Sequence, residues 1–238
     1  PTKYVGFVRP DGEKVSQIRT TQFRLGTRLS RNEIVVRQSF DKTSMGSDFP
    51  IVGIDLVAGL KGVLNGSFEY YRAELSIKHD VNIAPIGYSD FMVSCGKIFN
   101  KVPYPLLKLH EGNATYFYDS YAFSCMNFYE FASDLWAAVF WEHHFRGFFL
   151  SKIPLMKRLK WREVATVKAL WGTLSDKNNG SLAGTEAILL FPDGMSSVSK
   201  PYIETGVGVE NIFRILRIDA IWRLTHRGDR LGQKVDNF

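Results

Sequence analysis

From Asn127 to Gly172 the chain reads NFYEFASDLWAAVFWEHHFRGFFLSKIPLMKRLKWREVATVKALWG, two strand-length segments joined by a short basic turn. In the second segment Ala165, Val167, Ala169 and Trp171 form an apolar row, while Thr166 and Lys168 fall in the opposite one. In the first, Leu135, Ala137, Val139, Trp141 and Phe145 oppose Glu142 and His144. A period of two places successive side chains on opposite faces, so the pattern predicts a hairpin with one apolar face. Aromatic residues crowd the ends of both arms, at Phe131, Trp136, Phe145, Phe148, Phe149, Trp161 and Trp171. Outer-membrane barrels carry aromatic girdles at such positions.

The same alternation recurs along the chain. Residues 17–29 set Phe23, Leu25 and Leu29 against Arg24, Gly26 and Arg28, and a second strand with poor parity is expected at residues 33–40. Residues 51–61 carry Val52, Ile54, Leu56, Ala58 and Leu60 in one row, followed by an Asn65-Gly66 turn suited to a hairpin. Residues 68–79 alternate most cleanly, with Tyr71, Ala73, Leu75 and Ile77 against Arg72, Glu74, Ser76 and Lys78. Further strands follow up to Phe99, where Phe91, Val93 and Cys95 oppose Asp90, Ser94 and Gly96, and then at residues 202–210 and 217–226. Lys97 interrupts an apolar row near a strand end, where a long side chain snorkels to the interface. About nine strands are visible, and residues 234–238 read as the start of a tenth. The connections at residues 102–134 and 173–201 are long, whereas those at 151–160 and 211–216 are short. By the asymmetry of outer-membrane barrels, the long ones face outward and the short ones the periplasm.

Composition narrows this picture. With 238 residues and 45% apolar content the chain can fill one large domain. Its longest apolar run, Leu135 to Trp141, is far shorter than the ~20 residues of a membrane-spanning helix. The apolar rows run for about ten residues, the length of a tilted strand crossing hydrocarbon. The polar rows hold Arg24, Arg28, Arg72, Lys78, Lys168, Arg217 and Arg223 together with Glu74, Asp90, Glu142, Glu204, Glu210 and Asp219. Such a balance suits ion pairs inside a narrow barrel, because a selective pore favours rings of one sign. These residues and His144 form the expected interior polar network. The fold class expected is therefore all-β, an antiparallel transmembrane β-barrel. His143 falls in the apolar row and has no place in this scheme. A net charge of +6 is scattered through strands and turns, which argues against a nucleic-acid partner.

Candidate chemistry is sparse. Glu142-His143-His144 suggests a metal, but neighbouring strand residues point to opposite faces, so the two histidines cannot share an ion. Glu142, His144 and Lys168 share the polar row and read as a hydrogen-bond network. A hydrolase using His144 or His226 lacks a nucleophile motif such as GxSxG. Gly206-Val207-Gly208 lies in a strand pattern with no following helix, so it is no phosphate loop. Cys95 and Cys125 have no metal or redox spacing; Cys95 reads as an apolar filler, and a disulfide between the two is open in an oxidising compartment. The basic segment from Lys152 to Lys160 reads as an interfacial turn or a patch for headgroups or a partner. Residues 116–123 read as an aromatic loop that stacks on sugars or folds over a barrel mouth. No enzyme activity and no cofactor are expected.

The segments VPYPLLKLHEGNATYFYDSYAFSCMNFYEFASD, FWEHHFRGFFLSKIPLMKRLKWREV and IDAIWRLTH resemble the carboxy-terminal barrel region of an outer-membrane family of unknown function from Gram-negative bacteria. Its members carry an amino-terminal carboxypeptidase-regulatory-like domain. The resemblance runs from about Gln17 onward. It implies an exported barrel in the outer membrane and a small periplasmic sandwich upstream of Pro1. It implies no reaction. The partners expected are outer-membrane lipid and periplasmic or outer-membrane proteins. The chain opens without an initiator Met or a signal peptide, so targeting information is expected to lie outside this fragment. A final strand is expected beyond Phe238, because the last four residues are too short to span. The function expected is transport, translocation or envelope assembly; the alternatives are a soluble β-sandwich that binds ligands, or a barrel hydrolase.

Overall fold

The computed structural model describes residues 6–37, 42–112, 119–181 and 186–227. Its largest element is one antiparallel sheet of eight strands: β3 (Gln22–Leu29), β6 (Ile51–Gly59), β7 (Tyr70–Ile83), β8 (Gly87–Phe99), β11 (Leu135–His144), β12 (Arg162–Thr173), β14 (Tyr202–Ile212) and β15 (Leu216–Arg223). These strands pair in chain order, an up-and-down meander whose sequential neighbours are always adjacent. Among the described residues three small sheets complete the β structure. They are β1 (Phe7–Val8) with β2 (Lys14–Val15), β4 (Glu33–Arg37) with β5 (Lys42–Ser47), and β9 (Lys108–Leu109) with β10 (Phe131–Ser133) and β13 (Ser196–Ser197). Among the described residues, no helix is long and apolar enough to cross a membrane.

Residues paired directly across an antiparallel sheet share a face, so the register tests the expected rows. One line of partners runs Ile54, Leu75, Cys95, Ala137 and Trp171; the next positions along give Asp55, Glu74, Gly96, Trp136 and Gly172. The apolar and polar rows thus fall on opposite faces throughout. Side chains also bridge strands far apart in the sheet. Arg217 on β15 reaches Glu142 on β11 at 2.7 Å, although three strand spacings in a flat sheet amount to about 14 Å. The sheet is therefore concave toward its polar face.

That concave face is covered. The register places the connections between β8 and β11 and between β12 and β14 at one end of the sheet, and their described residues (100–112, 119–134, 174–181 and 186–201) fold back onto the polar side. Phe123 packs on Phe140 of β11 and Tyr202 of β14, with ring centres 5.0 and 5.3 Å apart, and Phe131 lies 5.8 Å from Tyr202. Val102, Leu107, Met126, Met195 and Val198 complete this core. Each large apolar side chain buried here contributes about 1.5–3 kcal/mol. The long connections are thus a folded plug over one half of the concave face.

Several expectations change. The strand expected at residues 33–40 does not enter the main sheet: its described part, β4, pairs with β5 in a separate hairpin, and residues 38–40 lie outside the described residues. Among the described residues the main sheet therefore has eight strands, not nine. The tenth strand expected at residues 234–238 also falls outside them. Phe131 and Trp136 belong to no girdle, because both are buried on the concave side. Trp136 is accommodated there because its cross-strand partner is Gly96, where a Cβ would lie 2.3 Å from the indole. Cys95 lies on the outer row and Cys125 in the plug, on opposite faces of the sheet, and both are free thiols. The basic segment forms a short helix, α1 (Pro154–Leu159), closed by Lys160 in the left-handed conformation.

Candidate functional site

The fourteen residues of the expected network all lie on strands of the main sheet, on the concave face. They do not form one network but four neighbourhoods. Beside the plug, the two oppositely charged cross-strand partners Lys168 and Glu204 grip its backbone. Lys168 Nζ donates to the carbonyl of Ala122 at 2.5 Å, and Glu204 accepts the amides of Ser124 at 2.7 Å and Cys125 at 2.9 Å. Tyr202 Oη donates to the same carboxylate at 3.0 Å. A carboxylate at 1% exposure is tolerable only because donors surround it. Arg223, the partner of Glu204 on β15, forks instead onto Glu130 of the plug, with contacts of 2.6 and 3.0 Å. Burial first, then the nearby Glu204, pushes the Cys125 thiol up to about 11, so this thiol is a poor nucleophile.

The second neighbourhood lies at the opposite end. Arg217 forks onto Glu142 at 2.7 and 2.9 Å while its Nε reaches both oxygens of Asp219. His144 stacks flat on Tyr88, 4.5 Å between ring centres. Its Nε2 lies 2.9 Å from Glu142 and its Nδ1 3.1 Å from Glu210, and Asp90 approaches to 3.6 Å. An imidazole donates to two carboxylates at once only when both nitrogens carry protons. The third groups Arg72 with Glu74, and adds Lys108 of the plug at 3.7 Å from Glu74. Both cations lie over Trp136, at 5.3 and 5.9 Å. The fourth, toward the β3 edge, holds Arg24 with Asp55 at 2.7 Å and Arg28 with Glu33 at 2.6 Å. Lys78 sits over the Tyr121 ring at 4.8 Å.

Between these last residues and the plug lies an open cavity of about 830 Å³, lined by Arg28, Asp55, Ser76, Lys78, Asp80 and Tyr121 among others. The plug fills one half of the concave face and leaves the other half hollow. Among the described residues, no group of three or more His, Cys, Asp or Glu side chains is disposed to hold a metal ion.

Sequence reasoning missed Glu130, Lys108, Asp55 and Asp80. Glu130 and Lys108 lie in irregular connections, where no period marks a face. Asp55 was legible, since it interrupts the row Val52, Ile54, Leu56 at the alternate parity. His143, unplaced by the pattern, lies on the outer face beside its cross-strand partner Ser89, whose Oγ is 2.7 Å from Nδ1. Phe145 closes over it, 4.4 Å between ring centres. The aromatic run at residues 116–123 is described only from Asp119, and there Tyr121 and Phe123 pack inward against Phe140.

A curled antiparallel meander with a charged concave face and a plug made from its own long connections defines the class of domain. Residues 11–178 match the model for the C-terminal domain of a family of unknown function, DUF5686, and the chain belongs to that family. The match ends before β14 and β15, so the strands that carry Glu204, Arg217 and Arg223 lie beyond it. No curated protein matches the chain.

Proposed function

We propose that this chain is the carboxy-terminal part of an outer-membrane β-barrel, with lipid against its outer face and its own long connections plugging the interior. The observation that carries this reading is the placement of exposed apolar side chains. Every strand of the main sheet bears one on its outer row: Phe23, Leu56, Leu75 and Phe99 on the first four, then Val139, Trp171, Val207 and Ile218. Phe23 and Ile218, on the two edge strands, are each 65% exposed. The charged rows meanwhile are turned inward and paired. A water-soluble sandwich does the reverse, since its two sheets bury their apolar faces against each other. Hydrocarbon outside and a polar interior is the arrangement of a membrane barrel.

Within that reading the function is transport, translocation or envelope assembly, not catalysis. The polar groups of the concave face are committed to one another and to the plug backbone, and the hollow beside Lys78 and Asp80 offers a path past the plug. A periplasmic carboxypeptidase-regulatory-like domain upstream, together with periplasmic or outer-membrane protein partners, completes the proposal. The test uses the whole gene product in isolated membranes. Resistance to alkaline and urea extraction, with a gel mobility that shifts on heating, is expected. Ready extraction without a shift would overturn the reading.

A further inference from the structure

At the end of the sheet away from the plug, residues 145–161 join β11 to β12 and residues 213–215 join β14 to β15. The first connection carries Arg146, Lys152, Lys157, Arg158 and Lys160 and no acidic residue. The first carboxylate that follows it in the chain, Glu163, is turned back to accept the amide of Leu150. On the same connection Phe149, Ile153, Leu155 and Leu159 are exposed. Lys152 Nζ lies 4.7 Å from the centre of the Phe148 ring, a cation held against an apolar surface. The neighbouring turn repeats the combination: Arg214 stands between Phe213 at 78% and Ile215 at 84% exposure. Asn211 Nδ2 donates to the carbonyl of Lys160 at 2.7 Å and ties the two turns together.

A solvated turn accounts for the cations but not for Leu155, Phe213 and Ile215, whose exposure to water is unfavourable. An acidic protein surface accounts for the cations and leaves the same apolar tips unexplained. We infer that this rim docks on the anionic phospholipid headgroups of the leaflet at its own end, with phosphates met by the lysines and arginines and the apolar tips sunk at the acyl boundary. The inference rests on the membrane reading above and adds to it a lipid specificity confined to one rim. Charge complementarity selects the partner: among the described residues Lys152, Lys157, Arg158, Lys160 and Arg214 form no ion pair, and they alternate with apolar tips over two linked turns. The docked rim fixes the height and tilt of the sheet.

The test reconstitutes the full-length protein in phosphatidylcholine vesicles containing a trace of spin-labelled phosphatidylglycerol or spin-labelled phosphatidylcholine. The immobilised fraction of each label is read by electron paramagnetic resonance. A preference of about threefold or more for phosphatidylglycerol at low salt is expected, since each interfacial cation favours anionic lipid roughly fivefold before screening. In the R146Q/K152Q/K157Q/R158Q/K160Q/R214Q variant the preference should fall to parity, and in K152R/K157R/K160R it should persist. Equal occupancy by both lipids in the wild type, or a preference that survives the glutamine variant, would overturn the inference while leaving the membrane reading intact. A protein extracted from the vesicles by alkali refutes both. Heat-shifted gel mobility in all three proteins shows that the variants are folded.

Discussion

The bond between Arg223 and Glu130 ties the plug to the last strand, and removing it should loosen the plug while leaving the sheet in place. Arg223 has a side chain fully shielded from solvent and Glu130 one at 4% exposure. Their two contacts, at 2.6 and 3.0 Å, are the parallel fork that guanidinium and carboxylate favour. Glu130→Ala leaves the guanidinium buried with only the carbonyls of Thr225 and Cys125, at 3.1 and 3.3 Å. Stranding one partner of a buried pair costs about 3–5 kcal/mol. That corresponds to an increase of roughly two to four orders of magnitude in the opening constant of the plug. Native-state hydrogen exchange on the protein in detergent reads this directly, through the amides of Ser124 and Cys125 that Glu204 holds. The double variant Glu130→Leu with Arg223→Leu should recover most of the loss, because two apolar groups among Phe131 and Tyr202 strand no charge. A change below about 1 kcal/mol in Glu130→Ala, or a double variant no better than the single, would refute the reasoning.

Three other perturbations bear on different parts of the structure. Val207→Arg puts a cation on the outer row of β14 and should cost about 2–4 kcal/mol in vesicles if the site lies near the middle of the bilayer; urea titration of the heat-shifted band measures it. Gly96→Ala drives a methyl group into the Trp136 ring and should cost about 1–3 kcal/mol in the same titration. His110 of the plug is held down to about 3 by burial first and by Lys108 second, with its Nε2 3.0 Å from Ser133 Oγ. Its folded form stays neutral while the unfolded chain takes up a proton below about 6.5, so plug stability is full above that pH. As the pH falls from 6.5 toward 3, stability should drop by up to about 1.4 kcal/mol per unit, a slope that His110→Gln should flatten.

The rows were legible because a strand repeats every two residues and most charged side chains of the strands fall at one parity. Thr166 and Lys168 announce their side by contrast with Val167 and Ala169, and in the register Lys168 lies across from Glu204. What the period cannot reveal is which distant segment meets each charge. Arg223 was readable as inward-facing, yet its partner Glu130 sits 93 residues earlier in a connection without period. Trp136 misled for a related reason: a tryptophan near a strand end suggests an interface, whereas its parity is that of the inward row and Gly96 across from it leaves room for the indole. The hairpin of β4 and β5 was missed as a unit because poor parity gives no face. A curled sheet was expected as part of the barrel, but the tightness of the curl was not legible. It emerges only when Arg217 is seen to reach across three strand spacings to Glu142.

The most direct measurement scans spin labels one residue at a time along β12, from Arg162 to Thr173, in the full-length protein reconstituted in lipid. A period of two is expected. Labels at 165, 167, 169 and 171 should collide with oxygen dissolved in the bilayer and not with a water-soluble nickel complex, whereas labels at 166, 168 and 170, buried on the concave face, should be shielded from both. Nickel access to the row of Ala165, Val167 and Ala169 would place that face in water and contradict the central claim.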